Sequence, residues 1–323
     1  MILLSDTPRD LVSAAQGVRP SEDNKSMRKK ASVAAVHIVD GRPWQDALIS
    51  VLERRSPYRP WRTSGGIRPG DAAIGVLDTD PQSVLAAVAI VGPDGDVGNA
   101  FANINPVSLT GLLELGTLNM LADFVVHPRS DDVYHSRSLD AVVAVIGGYN
   151  PSTADALFGH TSLAAGRILL KSGGKCTACD RRLDLTREDA RDRLHIHTID
   201  QPLVPRKPLR LMDAITEPEA RQAHVAYSAD QIKVSPRYPR SLPSDWPGVL
   251  CDSCHDMMGH GGFTSLLDFR LSLHPCCPSC SAHSALSAVY GMPAGPVQAP
   301  WVEPMGCCVE PWEWVCAKCG HQW

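Results

Sequence analysis

The 323-residue sequence has few of the features that assign a chain quickly to a class of protein. Its longest apolar stretch, Val84 to Val91, is far shorter than the ~20 residues that a membrane-spanning helix requires, so we expect no contact with a membrane. Met1 to Asp6 lack the basic segment and the apolar core of a secretory signal. The formal net charge of −4 provides no overall basic surface, so contacts with nucleic acid must come from local patches.

Cysteine is absent from the first half of the chain, and all 11 cysteines follow Lys175. Their total is odd, and most of them form pairs that are separated by two residues. This pattern is typical of metal thiolates in a reducing cytosol and does not suit a disulfide framework. We therefore expect a cytoplasmic protein that binds metal through its C-terminal half.

Four Cys-x-x-Cys knuckles account for eight of these cysteines: Cys176 and Cys179, Cys251 and Cys254, Cys277 and Cys280, Cys316 and Cys319. One knuckle aims two thiolates at one point, and two knuckles complete the tetrahedral shell that zinc prefers. Four knuckles therefore predict two structural Zn²⁺ ions. Sequence order favours pairing the first knuckle with the second and the third with the fourth, although an interleaved pairing is also compatible. We expect the spare Cys276, Cys307 and Cys308 to be buried apolar residues rather than ligands.

The sequence divides into five parts. Residues 1–32 form a loose lead-in, 33–105 alternate strand-like runs with turn signals, and 106–163 form a helical connector. Residues 164–262 and 263–323 contain the zinc knuckles. The predicted elements are strands over 33–39, 74–77, 84–91 and 141–146 and helices over 46–55, 109–126, 152–171 and 264–274.

The first two knuckles enclose a distinctive order of motifs. A helix ends in Gly173-Gly174 and leads into the first knuckle, Leu194-His195-Ile196-His197 follows, and the second knuckle ends in Cys254-His255. Over residues 164–262 this order resembles the zinc-stapled branch of the HNH nucleases, the ββα-metal family. The resemblance implies that a strand carries a general-base histidine and that a helix beginning at the second knuckle supplies a metal-binding histidine.

Phosphodiester hydrolysis explains why such residues are needed. It requires an activated water and a divalent ion that neutralises the charge on the phosphate. Histidine suits the base because its ordinary pKa is close to neutral. Zinc with four thiolates has no open position, so the ion would be a second one, Mg²⁺ or another divalent metal. His195 and His197 share one face of a strand, so one could act as base while the other binds metal.

His255 is the expected ligand of that catalytic ion, with His260 and Asp245 as further possible ligands. The family places an acidic residue or a histidine before the base, whereas Leu194 and Ile196 occupy those positions here. A degenerate HNH fold that binds DNA without cutting it is therefore an alternative, as is a purely structural zinc module.

A basic and aromatic segment precedes the strand predicted at 74–77. Five arginines and one glutamate lie between Glu53 and Arg68, and a Gly70-Asp71 turn follows. A Gly-Asp turn that leads into an apolar strand resembles the PUA-like β-barrels, including the EVE and SRA branches that read modified bases. The resemblance implies DNA-binding residues, which are Arg59, Trp61, Arg62 and Arg68. Arginines neutralise phosphates and an aromatic ring stacks on an extruded base. The alternative is a generic α/β domain.

The last two knuckles, with Cys277-Pro278-Ser279-Cys280 and Cys316-Ala317-Lys318-Cys319, resemble a zinc ribbon. Four tryptophans accompany them: Trp301, Trp312, Trp314 and Trp323. Such rings complete the thin core of a small ribbon or stack on bases.

Together these features predict an α+β multidomain protein with a PUA-like β-barrel or α/β domain, a ββα-metal HNH core and a C-terminal zinc ribbon. The expected function is that of a metal-dependent DNA endonuclease, in a setting of modification-dependent restriction or phage defence, with base-modified DNA as partner. The alternative is a non-catalytic zinc protein that binds DNA or a protein partner.

Overall fold

The computed structural model describes residues 35–62, 66–104, 111–123, 125–126, 133–134, 136–149, 157–200, 238–291 and 299–323. The lead-in predicted at residues 1–32 lies outside these ranges. Residues 33–323 belong to one compact unit.

A mixed sheet organises the N-terminal part of the described chain. Its six strands are β1 (Val36–Gly41), β2 (Trp61–Arg62), β3 (Ala72–Leu77), β4 (Ser83–Ile90), β5 (Leu112–Glu114) and β6 (Val133–Tyr134). The order is β2-β1-β3-β4-β5, and β6 also pairs with β1. Only β1 and β3 are parallel, with Val36 opposite Ala72. Helix α1 (Trp44–Leu52) lies between them in the chain, since parallel neighbours need a crossover.

Helices cover both faces of this sheet. Helices α1, α2 (Val97–Ala102) and α5 (Ser162–Ser172) pack on one face, and α3 (Leu115–Ala122) and α4 (Ser136–Gly148) pack on the other. Alternate residues of β3 serve the two sides: Ala73 and Leu77 face the first, Ile74 and Val76 the second. All six residues of β3 are consequently buried, and the strand is apolar without alternation.

The described chain thus contains both helices and several small sheets, which agrees with the prediction of a protein with mixed secondary structure. The N-terminal sheet corresponds to the α/β alternative. The β-barrel alternative is corrected, because the described strands do not close on themselves. A strand of a small closed barrel would present one side to solvent, whereas β3 is apolar on both sides and requires helices on each.

Two predicted elements are also corrected. Residues 141–146, predicted as a strand, lie within helix α4, where Val142 and Ile146 are four residues apart and enter the same core. The helix predicted over 109–126 is divided between strand β5 and helix α3. Short apolar runs suit either a strand or a helix, and here pairing of Leu112 and Leu113 with β4 decides the outcome.

The described part of the C-terminal half contains two smaller sheets and two α-helices. The elements are β7 (His195–His197), β8 (Gly248–Leu250), α6 (Asp252–His260), α7 (Leu266–Ser272), β9 (Ala285–Tyr290), β10 (Val302–Gly306) and β11 (Trp314–Cys316). Strands β7 and β8 form an antiparallel pair, and β10-β9-β11 form a separate three-stranded sheet. Helix α7 confirms the helix predicted over 264–274.

Helix α5 connects the mixed sheet to the first zinc knuckle. The side chain of Thr161 accepts a hydrogen bond from the Ala164 amide and caps the start of the helix. Gly173 ends it in the left-handed region at φ 58°, which favours glycine. The helix packs in the core that lies under α1, and Val249 of β8 is buried in that same core. Sheet and zinc module therefore share hydrophobic contacts.

Helices of the described chain are short. The longest, α4, has 13 residues. None of the described helices has the length and apolar character needed to cross a bilayer.

Gly248 is the point of closest packing between β8 and the first knuckle. A Cβ atom at this position would lie 2.6 Å from side-chain atoms of Thr177 and Leu266. We expect Gly248→Ala to lower the free energy of unfolding by about 1–3 kcal/mol through overpacking. Gly147→Ala in α4 is the control, since nothing beyond its chain neighbours and its own helix backbone lies within 4 Å of the added methyl group. Denaturant unfolding monitored by circular dichroism checks both; equal stability of the two variants would contradict this packing.

Candidate zinc sites and histidine cavity

The first two knuckles meet in one cluster. The sulfur atoms of Cys176, Cys179, Cys251 and Cys254 all lie within 4.8 Å of one another. Cys176 and Cys179 occupy the turn after α5, Cys251 is the N-cap of α6, and Cys254 lies in the first turn of that helix. The Cys251 amide is 3.5 Å from the Cys176 sulfur and donates to it. Backbone geometry thus aims four thiolates at one point.

The last two knuckles form a second cluster, at the base of the three-stranded sheet, from Cys277, Cys280, Cys316 and Cys319. The Cys277–Cys319 and Cys280–Cys316 sulfur pairs are each 3.6 Å apart. Tetrahedral coordination with bonds of about 2.3 Å requires sulfur atoms about 3.8 Å apart. Both clusters therefore fit structural Zn²⁺, and the pairing favoured by sequence order is confirmed. All 11 cysteines are free thiols, as a metal framework requires.

Neighbouring donors favour ionisation of one thiol in each cluster. Burial opposes ionisation of Cys179, but hydrogen bonds from the Arg181 side chain and amide outweigh it and lower its pKa to about 7. Burial likewise opposes ionisation of Cys316, but the Cys319 amide and the Ser284 hydroxyl lower its pKa to about 6. The thiolate is the form that binds metal.

The three spare cysteines correct an expectation. Cys276, Cys307 and Cys308 are all exposed, although burial was predicted. Cys276 contacts the His283 ring at 3.3 Å, and Cys307 and Cys308 follow the edge strand β10. The three cysteines lie at a strand edge or in a turn, and nothing in the described chain packs over their side chains.

Strand β7 carries two histidine–carboxylate pairs. His197 Nε2 lies 2.7 Å from Asp245 Oδ2, and His195 Nε2 lies 2.9 Å from Asp252 Oδ1. His195 and His197 were predicted as a base and a metal ligand, and Asp245 was predicted as a possible metal ligand. If each Nε2 carries the proton and donates it to its carboxylate, each Nδ1 is left as the basic nitrogen. A carboxylate therefore orients each of the two imidazole rings of this strand.

Asp245 is held firmly in its role as a hydrogen-bond acceptor. Its Oδ1 accepts from the amides of Trp246 and Leu266, at 2.7 and 2.8 Å, while Oδ2 faces His197. Burial opposes ionisation of Asp245, but His197 and these two amides outweigh it and hold its pKa below the usual value. Asp245 is thus an ionised group at neutral pH that orients His197.

The rings of His195 on β7 and His255 on α6 lie side by side. Their rings stack with centroids 3.8 Å apart and planes 8° apart. His195, His197 and His255 line one open cavity of about 420 Å³, whose apolar wall includes Leu250 and Met258. The side chain of His255 is 52% exposed, so this ring faces solvent as well as His195.

The predicted ligands of a catalytic ion are not assembled. His260 contacts the Asp256 carbonyl of its own helix, and both oxygens of Asp245 already accept hydrogen bonds. Lone pairs of stacked imidazoles lie in two parallel planes, so His195 and His255 in this arrangement do not converge on one ion. Within the described ranges, three or more ligand atoms converge only at the two cysteine clusters.

Asp252 and Arg193 were not predicted from the sequence. Arg193 bridges Asp252 and Asp189 with contacts of 2.8 Å to each, so a charged network supports the carboxylate that holds His195. Asp252 lies between the two cysteines of the second knuckle, and the spacing of a knuckle predicts only a turn at this position. Its separation from His195 by 57 residues gives no local signal.

The four predicted DNA-binding residues occupy different environments. Arg59, Arg62 and Arg68 are exposed. Trp61 stacks on Phe101 with ring centroids 3.9 Å apart and donates from its indole nitrogen to Ser50. Stacking on an extruded base would require this ring to leave its position.

The aspartate of the predicted Gly-Asp turn has a structural partner. Gly70 has φ 90°, and Asp71 is buried 2.9 Å from the buried His37 on β1. This contact holds the turn against the first strand.

The four C-terminal tryptophans divide between core and surface. Trp301 is buried, with the Arg270 guanidinium 4.8 Å above its ring, whereas Trp312 is 38% exposed. Trp314 lies 4.8 Å from the His274 ring and Trp323 stacks on His321, so both complete the ribbon locally.

Comparison with known proteins adds no relative. No protein-family model matches the chain, and the searches of curated proteins and of solved structures gave no significant match.

Proposed function

We propose that this chain is a metal-dependent DNA endonuclease of the HNH type, which hydrolyses phosphodiester bonds at the histidine cavity. The observation that carries the proposal is the pair of carboxylate-held histidines on β7, facing one cavity with His255 of α6 beside a four-cysteine cluster. A strand pair followed by a helix, with histidines on the first strand and on the helix, has the element order of a ββα nuclease core.

His197 is the proposed general base. Asp245 fixes its ring and its tautomer, so that Nδ1 can remove a proton from the attacking water. His195 is the less suitable base because its ring stacks on His255.

A divalent ion would supply neutralisation of charge on the phosphate. The described residues form no third set of ligand atoms besides the two cysteine clusters, so no ligands are assigned to this ion. The assay with and without Mg²⁺ or Mn²⁺ measures the dependence of cleavage on the ion.

A nuclease assay tests the proposal. Purified protein with both zinc sites filled should convert supercoiled plasmid to nicked or linear DNA when Mg²⁺ or Mn²⁺ is added. Parallel reactions with base-modified phage DNA test whether a modified base is required. We expect His255→Ala to lower the rate by about 10²-fold or more, the effect typical of losing one group that contacts the reacting centre. His283→Ala, which changes an exposed histidine of the ribbon, should cleave normally.

The outcome of this assay separates the alternatives. Cleavage by His255→Ala at the normal rate would exclude a role of His255 in the reaction. An absence of cleavage by a folded protein with two zinc ions would contradict the endonuclease.

The competing function is a zinc protein that binds DNA or a protein partner without cutting. The stacked His195 and His255 rings favour it, because they form a settled contact with no converging ligand set. DNA binding that persists in a protein without cleavage activity would support this function.

A further inference from the structure

A second cavity lies between the zinc module and the ribbon. It encloses about 210 Å³ and is bounded by the end of α5, the first knuckle, the segment before β8 and the start of β10. None of its lining residues belongs to the histidine cavity. It is therefore a separate place for a ligand.

The walls of this cavity are aromatic and aliphatic. Trp246 and Trp301 contribute indole rings, and Leu157 and Ile168 contribute alkyl groups. Phe158 packs edge-on against Trp246, and the Arg270 guanidinium lies over the Trp301 ring, so a side chain packs against each ring. Fixed indole rings offer stacking surface to a flat group without loss of side-chain freedom on binding.

Positive charge is concentrated at the same cavity. The described part of the chain has three lysines, and two of them, Lys171 and Lys175, line it. Both are exposed, and neither forms an ion pair within the described ranges. The one carboxylate in the lining, Asp180, is engaged by Arg270 at 2.6 Å. Two ammonium groups therefore remain to bind an anion.

We infer that this cavity binds a nucleotide, with the base against Trp246 and Trp301 and the phosphate at Lys171 and Lys175. The volume supports one ring system, since it is below the roughly 300–1,000 Å³ of sites that enclose drug-sized ligands. Lys171 and Lys175 are exposed and line the same cavity, so their ammonium groups are available to the phosphate. A nucleotide within a nucleic-acid strand and a free mononucleotide share this chemistry.

The cavity also adjoins the proposed base. Trp246 follows Asp245 in the chain, and its amide donates to the carboxylate that orients His197. A ligand against the Trp246 ring therefore sits one residue from the histidine–carboxylate pair. The inference does not rest on hydrolysis, because a nucleotide could bind here even if the histidine cavity were inert.

Calorimetric titration of the full-length, zinc-loaded protein tests the inference without added Mg²⁺ or Mn²⁺. The probes are adenosine 5′-monophosphate, adenosine, inorganic phosphate and a ten-nucleotide single-stranded oligodeoxynucleotide. We expect the monophosphate to bind at least 10-fold more tightly than adenosine or phosphate. Tighter binding of the oligonucleotide identifies a strand as the source, and tighter binding of the monophosphate identifies a free nucleotide.

Variants of exposed lysines provide the control without risk to folding. Lys171→Gln combined with Lys175→Gln should weaken binding of the nucleotide probes at least 10-fold, whereas Lys318→Gln on the last knuckle should leave it unchanged. Unaltered affinity of the double variant, phosphate binding as tight as that of the monophosphate, or no nucleotide binding to the unaltered protein would each overturn the inference.

Amine labelling gives an independent readout on the unaltered chain. Saturating monophosphate should reduce acetylation of Lys171 and Lys175, mapped by mass spectrometry, while Lys318 serves as the internal reference. Equal labelling of all three lysines with and without nucleotide would contradict the assignment.

Discussion

Replacing Cys254 with alanine is expected to reduce the bound zinc from two ions to one and to unfold the histidine cavity. The Cys254 sulfur is fully buried in the first cluster, and the knuckles tie the end of α5 to the start of α6. Structural zinc contributes about 10–16 kcal/mol to the folding of small zinc domains, which is comparable with or above the ~5–15 kcal/mol that stabilises a whole domain. Zinc analysis by mass spectrometry and near-ultraviolet circular dichroism measure the two effects.

Cys307→Ala is the matched control for this variant. Cys307 is an exposed cysteine outside both clusters, so its removal should leave two zinc ions and an unchanged spectrum. A Cys254→Ala protein that keeps two zinc ions would contradict the first site. Loss of zinc from Cys307→Ala would show that the ligand sets differ from those described.

His197→Ala is expected to lower the rate of DNA cleavage by about 10²–10⁴-fold, the contribution typical of a positioned general base. Asp245→Asn should lower the rate by about 10²-fold, because an amide at this position can donate to Nε2 and thereby favour the wrong tautomer. Rates are measured on plasmid DNA under the conditions in which the unaltered protein cleaves. Combining both changes should cost little more than His197→Ala alone, since Asp245 acts through His197.

Zinc content and thermal unfolding distinguish loss of catalysis from loss of structure in these variants. Asp245 also accepts hydrogen bonds from Trp246 and Leu266, so a modest fall in stability is expected for Asp245→Asn. Normal cleavage by folded His197→Ala would exclude His197 as the base. Full additivity of the two changes would show that Asp245 does not act through His197.

Local spacing predicted the metal sites well. A Cys-x-x-Cys knuckle sets the geometry of its own two ligands, and chain order then fixed the pairing that the structure confirms. Strands β3 and β4 were also predictable, because the Asp78–Pro81 turn separates two apolar runs. Each knuckle is local in the sequence, and β3, the turn and β4 follow one another directly from Ala72 to Ile90.

Contacts between distant residues were harder to predict. Asp245 and Asp252 lie 48 and 57 residues from their histidines, so folding alone identifies them as partners. Arg270 is buried although charged, because it reaches Asp180, the Thr177 carbonyl and the Trp301 ring at once. The helical 141–146 segment illustrates the same limit, since tertiary packing chose between two structures that its composition allows.

The core shared by the N-terminal sheet and strand β8 has a consequence for inheritance and for engineering. Val249 lies among buried residues of α1, β4 and α5, and Leu194 and Ile196 pack beside it. A fragment that begins at residue 164 would expose this apolar surface and would cut α5 within its first turn. The histidine-bearing module cannot be grafted onto another protein as a self-sufficient cassette. Recombination would have to carry residues 33–323 together, and a fused partner is best attached outside those limits.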